Sequence, residues 1–415
     1  MTGAGRRIVR LGHRGDGVAE DGTLVARTLP GEVVAGDVQE GRIAAPRILT
    51  PSPDRVRAPC PHYAACGGCD LMHATDGFAA GWKAAQITLA LARVGLEAPL
   101  RPMHISPPGS RRRAVLAGRR LKGGAVVGFH ARRSDSIAAI PDCRLLHPAI
   151  MAGLPGLAAL VATVASRRGE LTLAVTQSGA GLDVAVTGGR AVDAALITDL
   201  AALAEGHGWA RLVWGGEVVA LRAPPAQQMG RARVVPPPGG FLQATADGAA
   251  ALVAAVRDAV GGASPQSGPI ADLFAGCGTF ALPLAEHAEV HVVEAEAPAL
   301  AALDAGWRTA PGLRRVTTEA RDLFHRPLLP PELDRFAAVV IDPPRAGAAA
   351  QAEALAASGV PVIAAVSCNP ATFARDAAIL TAGGYRLDWV QPVDQFRWSP
   401  HVELAARLSR AHMPR

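Results

Sequence analysis

Aromatic side chains are scarce in this 415-residue chain, at 4% with only two tyrosines, and charged residues reach only 19%. The 49% hydrophobic content is carried largely by alanine. No stretch reaches 18 consecutive apolar residues. The best candidate, residues 151–165, is broken by Gly153, Pro155 and Gly156, so no membrane span is expected. Residues 1–11 hold Arg6, Arg7 and Arg10 without an apolar h-region, so the expectation is a cytoplasmic protein with no secretory signal. The 45 glycines and 33 prolines follow no period, which excludes collagen-like and linker-only readings, and no internal repeat is visible.

Acidic residues are nearly missing from one segment. Between Arg101 and His147 ten Lys or Arg (Arg101, Arg111, Arg112, Arg113, Arg119, Arg120, Lys122, Arg132, Arg133, Arg144) face only Asp135 and Asp142. That segment sums to +8 against +6 for the whole chain, leaving about −2 elsewhere. A concentrated positive excess is the footprint of a polyanion partner; a solvated basic face is the plainer alternative.

The length allows two to four domains of roughly 100–200 residues. Residues 1–56 read as short strands between turns (Asp16-Gly17, Asp21-Gly22, Pro30-Gly31), which suggests a small β-barrel, with Pro51-Ser52-Pro53-Asp54 as a linker. Residues 57–235 open on a helical window from Asp76 to Leu96 and continue with strand-like runs (Leu171–Val175, Leu182–Val186, Leu212–Trp214) among alanine-rich helices, an α+β texture. Pro236-Pro237-Pro238-Gly239-Gly240 marks a hinge. In 236–415 the strands Ile270–Phe274, Val290–Glu294, Val339–Asp342 and Val362–Val366 alternate with helices, which predicts an α/β domain with a mostly parallel sheet. Such folds bind ligands outside the carboxyl ends of their strands.

Six cysteines are present: Cys60, Cys66, Cys69, Cys143, Cys277 and Cys368. The first three form C-x5-C-x2-C, with Gly67-Gly68 letting the backbone wrap closely, and Cys143 follows far downstream. Zinc ribbons usually pair two C-x2-C knuckles, so three clustered cysteines and one distant one fit an iron–sulfur cube better; zinc and plain buried thiols stay open.

Asp272-Leu273-Phe274-Ala275-Gly276-Cys277-Gly278-Thr279 is a strand, a glycine turn and a helix start, with Glu294 at the end of the next strand placed for a ribose diol. Gly276, Gly278 and Ala281 also satisfy a dinucleotide fingerprint, so a nicotinamide enzyme is a rival reading. Asp272 before the turn favours a cationic ligand such as S-adenosylmethionine. Asp342-Pro343-Pro344 closes a strand with a rigid loop able to hold a planar base. Cys368, in Ser367-Cys368-Asn369-Pro370, sits at a helix start, where the macrodipole favours thiolate. Glu403 alternates with apolar neighbours on a last strand, 402–408, and a carboxylate in that setting usually has a task.

Together, D-L-F-A-G-C-G, I-D-P-P-R, S-C-N-P-A-T and the terminal D-x-F-x-x-x-x-H-x-E make the chain resemble, nearly end to end, the RNA uracil-5-methyltransferase family. The resemblance implies a class I Rossmann-like methyltransferase domain (236–415), a central α+β domain (57–235) and a TRAM-like OB β-barrel (1–56). It implies Cys368 as nucleophile, Glu403 as proton acceptor, and a [4Fe–4S] cluster on Cys60, Cys66, Cys69 and Cys143. It assigns S-adenosylmethionine contacts to Gln243, Phe274, Thr279, Glu294, Asp322 and Asp342. The implied partner is RNA, ribosomal rather than transfer RNA by family analogy, with no membrane and a monomeric enzyme. The chain departs from the family at Thr279, commonly Asn, at Phe241-Leu242-Gln243-Ala244-Thr245 for F-x-Q-x-N, and at Phe396-Arg397-Trp398-Ser399 for F-P-H-T.

Overall fold

The computed structural model describes residues 5–166, 169–191, 193–261 and 268–410. Three principal sheets organise the chain. The first takes six short strands in the order Arg42–Ile43, Leu24–Val25, Gly17–Ala19, Arg6–Leu11, Val33–Ala35, Arg47–Thr50. Ile8, Ala19, Val25, Val34 and Ile43 fill its core. The two end strands share no ladder among the described residues.

This β-domain is locked to the central region by charge. Buried Asp16 accepts from Arg42 at 2.7 Å and from Arg132 at 2.6 Å, with Arg133 at 3.6 Å. A desolvated carboxylate is tolerable only with such partners. Arg27, held at φ +53°, donates to the carbonyls of Ala64 and Cys66 at 2.7 and 3.3 Å.

The second sheet has seven strands, running Ile137–Ala139, Gly124–His130, Arg113–Leu121, Glu170–Ser178, Gly181–Thr187, Arg211–Trp214, Glu217–Leu221. Alternation along Glu170–Ser178 turns Leu171, Leu173 and Val175 inward, where they meet Leu157, Leu160 and Val161 of helix Pro148–Val164.

The third sheet, of eight strands, carries the chemistry. Its order is Val316–Ala320, Val290–Glu294, Ile270–Leu273, Ala338–Ile341, Val362–Ser367, Glu403–Ser409, Arg386–Asp394, His104–Ile105. The first five strands are parallel. Three of them, Ile270–Leu273, Ala338–Ile341 and Val362–Ser367, are buried throughout and mostly apolar, as strands covered on both faces must be, whereas edge strand Val316–Ala320 carries Thr317, Thr318 and Glu319. Glu403–Ser409 then runs antiparallel between its neighbours.

The boundary expected at 235/236 does not follow the packing. Helix Asp76–Ala92 buries Ile87 and Leu91 in the core that also holds Phe373, Ala377 and Leu380 of helix Pro370–Ala382. His104–Ile105 is the edge strand of the third sheet, and hairpin Gln227–Met229/Ala232–Val234 joins the core beside Leu300 and Leu303. The central region lies between these pieces as an insertion.

Candidate active site

Every strand of the parallel set ends at one edge of the sheet, and the expected site residues collect there. Phe274 follows Ile270–Leu273, Glu294 ends Val290–Glu294, Asp322 follows Val316–Ala320, Asp342 follows Ala338–Ile341 and Cys368 follows Val362–Ser367. Glu403 reaches the same edge from the opposite direction because its strand is antiparallel. Ser367 pairs with Leu404 and Val362 with Ser409, so continuing the register by one residue sets Cys368 across from Glu403.

Local sequence fixes Cys368. Asn369 caps helix Pro370–Ala382, accepting from Ala371 N at 3.1 Å, and Pro370 supplies the preset first turn. The Asn369 amide and the Thr372 hydroxyl donate to the Arg345 carbonyl at 3.0 and 3.2 Å, which ties the Asp342-Pro343-Pro344 loop to the nucleophile's helix. Arg345 in turn contacts His401 at 3.2 Å on the rim.

The charge state differs from the sequence expectation. Burial, with the Glu403 and Asp342 carboxylates nearby, pushes the Cys368 thiol up to about 11. The helix start is present, but two carboxylates and desolvation outweigh its dipole. Glu403, 3% exposed, is raised to about 8 by burial and by Asp342. Burial raises Asp342 to about 7. Three groups that shed protons thus crowd one pocket, an arrangement that a cation would relieve.

Gln395 organises the base. Its Nε2 donates to Glu403 Oε2 at 3.0 Å and to Gln243 Oε1 at 2.5 Å, while its Oε1 accepts from Ala244 N at 2.8 Å. All of this is buried. Gln243 is therefore beside Glu403, and its carbonyl also accepts from Arg112 at 3.1 Å.

Around the glycine turn, Phe274 adopts φ +60°, costly for a bulky residue, and its ring packs against Phe324 at 5.3 Å. Glu294 accepts from Gly276 N, Ala295 N and Glu296 N at 2.8, 2.7 and 2.9 Å. It braces the turn while keeping lone pairs for a diol. Asp322 accepts from Phe324 N at 2.9 Å and contacts His325 at 2.7 Å. Thr279 is half-buried at the turn. Asp272, expected to face a cationic ligand, is instead fully buried with neither carboxylate oxygen partnered among the described residues. Burial, with the Asp342 carboxylate nearby, raises it well above its ordinary value, which favours the protonated form behind the turn.

Among the described residues no three His, Cys, Asp or Glu side chains converge closely enough to grip a metal ion. A single metal ion therefore finds no preformed coordination shell at the four cysteines. Cys60, Cys66, Cys69 and Cys143 do line one apolar cavity with Tyr63, Met72 and Phe129. Gly68 N points at Cys66 Sγ (3.3 Å) and Leu145 N at Cys143 Sγ (3.4 Å). Gly67 is required for another reason than wrapping an ion: a Cβ there would stand 2.7 Å from the His130 carbonyl.

The basic segment is also partly spent. Arg119 pairs with Glu170, Arg132 with Asp16 and Asp70, Arg101 with Asp258, and Arg112 bonds the Gln243 carbonyl and Gln227. Arg120 and Lys122, on the hairpin between Arg113–Leu121 and Gly124–His130, have no acidic partner among the described residues.

Sequence reasoning missed Lys83. It is wholly buried and donates to Asp394 at 2.6 Å and to the Phe396 carbonyl at 3.2 Å. Its signal was legible, because Lys83, Ile87 and Leu91 share the buried stripe of one helix.

The chain matches the family described as tRNA (Uracil-5-)-methyltransferase over residues 317–411. An uncharacterized RNA methyltransferase of Caulobacter vibrioides is 44% identical, covering 97% of this chain and 99% of its own. The Chromohalobacter salexigens 23S rRNA (uracil(1939)-C(5))-methyltransferase RlmD is 34% identical, covering 99% of this chain and 90% of its own. The chain belongs to the RNA uracil-5-methyltransferase family. Its fold matches the Pyrococcus abyssi tRNA (uracil-54, C5)-methyltransferase, solved in complex with S-adenosyl-L-homocysteine, with a TM-score of 0.76 at 23% identity over 97% of this chain and 99% of that one. The third sheet is thus the class I methyltransferase sheet, and the nicotinamide rival falls away. No helix among the described residues is long and apolar enough to cross a membrane.

Proposed function

We propose that this uracil-5-methyltransferase acts on 23S ribosomal RNA, with Cys368 as nucleophile and Glu403 as proton acceptor. The observation that carries the reading is the ladder register that sets Cys368 across from buried Glu403 at the carboxyl edge of a methyltransferase sheet. Carbon 5 of uracil is a poor nucleophile. The Cys368 thiol loses its proton to solvent, the resulting thiolate forms a bond to carbon 6, and the electron pair displaced from the double bond makes carbon 5 an enolate carbon. S-adenosylmethionine, held by Gln243, Phe274, Thr279, Glu294, Asp322 and Asp342, supplies the methyl group to carbon 5 and a positive charge among the carboxylates. Glu403 removes the carbon 5 proton, the double bond re-forms, and the Cys368 sulfur leaves. The Asp342-Pro343-Pro344 loop, tied down by Asn369 and Thr372, holds the plane of a base taken out of its stack. Identity to the ribosomal enzyme over nearly the whole chain supports ribosomal RNA as substrate. Mapping 5-methyluridine in 23S and transfer RNA from a deletion strain tests it. Loss from transfer RNA alone would overturn it.

The same reading gives Cys60, Cys66, Cys69 and Cys143 a [4Fe–4S] cluster. Four soft donors around one apolar cavity, with amides aimed at two sulfurs, support that choice over harder-ligand metals. The transfer requires no electron, so the cluster would supply structure only. The six-stranded β-domain and the unpaired Arg120 and Lys122 are assigned to RNA backbone contacts.

A further inference from the structure

Between Asp394 and Glu403 the chain leaves one strand of the catalytic sheet and re-enters on the next. This loop carries His401 and delivers Glu403, so its placement decides where the base stands. Three ties hold it. Lys83 grips Asp394 and the Phe396 carbonyl. Arg397 donates to Asp76 at 2.6 Å and to the Ser106 carbonyl at 3.2 Å. The third tie is Trp398, and it leads to a different part of the molecule.

Trp398 sits at φ +63°, a conformation a bulky side chain keeps only where its surroundings enforce it. The surroundings are visible. The carbonyl of Trp398 accepts from both Asp70 N (2.8 Å) and Leu71 N (2.9 Å), the two amides directly after Cys69. Its indole, 7% exposed, packs in one apolar cluster with Tyr63, Cys69, Met72 and Leu145. Trp398, one of the three residues that depart from the family's F-P-H-T segment, is thus the plug that seats the catalytic loop on the cysteine turn.

We propose that Trp398 is a positioning residue, fixing Glu403 by anchoring its loop to the turn that follows Cys69. This deepens the reading of Glu403 as proton acceptor and rests on it. Reaching the base only through its loop, Trp398 governs the late, proton-removing step and leaves RNA and methyl-donor binding alone.

The test uses the full chain with Trp398→Ala, Trp398→Phe and, from the opposite wall, Met72→Ala, each checked for folding by circular dichroism. Trp398→Ala should lower kcat about 10- to 100-fold, the scale of an ångström-sized misplacement. Its KM for RNA and for S-adenosylmethionine should stay within about twofold. The methylated covalent RNA–protein complex should accumulate, and the Asp70 and Leu71 amides should exchange with deuterium faster. Trp398→Phe should recover most of kcat, and Met72→Ala should show a milder form of the same split. If Trp398→Ala does not fold, Trp398→Phe and Met72→Ala decide. Wild-type kcat in these variants alongside faster exchange at Asp70 and Leu71 would overturn the proposal, as would unchanged exchange or a defect confined to KM. Glu403→Gln separates the two readings: full turnover in that variant would remove the base assignment itself, whereas an adduct trapped there with normal Trp398 variants would remove only the positioning role.

Discussion

The side-chain amide of Gln395 points one of its hydrogens at Glu403 Oε2, 3.0 Å away. A donor bonded to a carboxylate favours its ionised form, so this contact holds Glu403 lower than burial and Asp342 alone would leave it. Gln395→Leu removes the donor and lets the base climb further. The alkaline rise of kcat, expected near pH 8 from Glu403, should move to higher pH. A pH–rate profile of single-turnover product formation checks this, and an unmoved profile would deny Gln395 the role.

The same groups set a stability trend. Glu403 and Asp342 hold their protons to about pH 8 and 7, above the ordinary 4.5 and 3.8. A group raised on folding contributes stability at pH below its unfolded value and loses it as pH climbs through the folded one. The substrate-free enzyme should therefore lose melting temperature between about pH 4 and 8 on account of this pair. Glu403→Gln, which never ionises, should flatten that decline while abolishing turnover.

Cys368→Ala should abolish both methyl transfer and covalent adduct. Glu403→Gln should trap a methylated RNA–protein complex that survives denaturing gels, since attack and methylation precede proton removal. A Cys368→Ala enzyme that still formed the adduct would refute the assignment.

Lys83 and Asp394 form a wholly desolvated pair. Lys83→Met leaves Asp394 buried and alone, at a cost of about 3–5 kcal/mol. Lys83→Met with Asp394→Leu should recover much of that, as urea titration of the two variants would show.

Arg120→Ala with Lys122→Ala should reduce the salt slope of RNA binding by about 0.7 per lost phosphate contact on single strands and leave methyl-donor affinity intact. Arg112→Ala should behave oppositely, because its guanidinium supports the Gln243 carbonyl. Equal salt slopes in the double variant and the wild type would mean that the hairpin tip does not touch RNA.

The catalytic edge was largely legible in the sequence because strand-then-motif patterns are local. Apolar runs ending in Asp342-Pro343-Pro344 or in Cys368-Asn369-Pro370 name both the strand and the turn that stops it. What escaped was non-local. His104–Ile105 is two residues long and becomes a strand only because Val393 and Asp394 offer it an edge. Gln395 stood within a recognised motif, yet its three partners lie 8, 151 and 152 residues away. The basic run misled in part because charge counts ignore Asp16, Asp70 and Glu170, which come from other parts of the chain.

Lys83 and Asp394 lie 311 positions apart. On a ribosome adding roughly 5–20 residues per second, helix Asp76–Ala92 waits roughly 15–60 s for the partner of its buried lysine. Throughout that interval Ile87 and Leu91 have no catalytic core to enter, since Phe373, Ala377 and Leu380 are made long after them. The growing chain therefore exposes the apolar stripe of this helix until the catalytic sheet is made, at the very element that will later support the base.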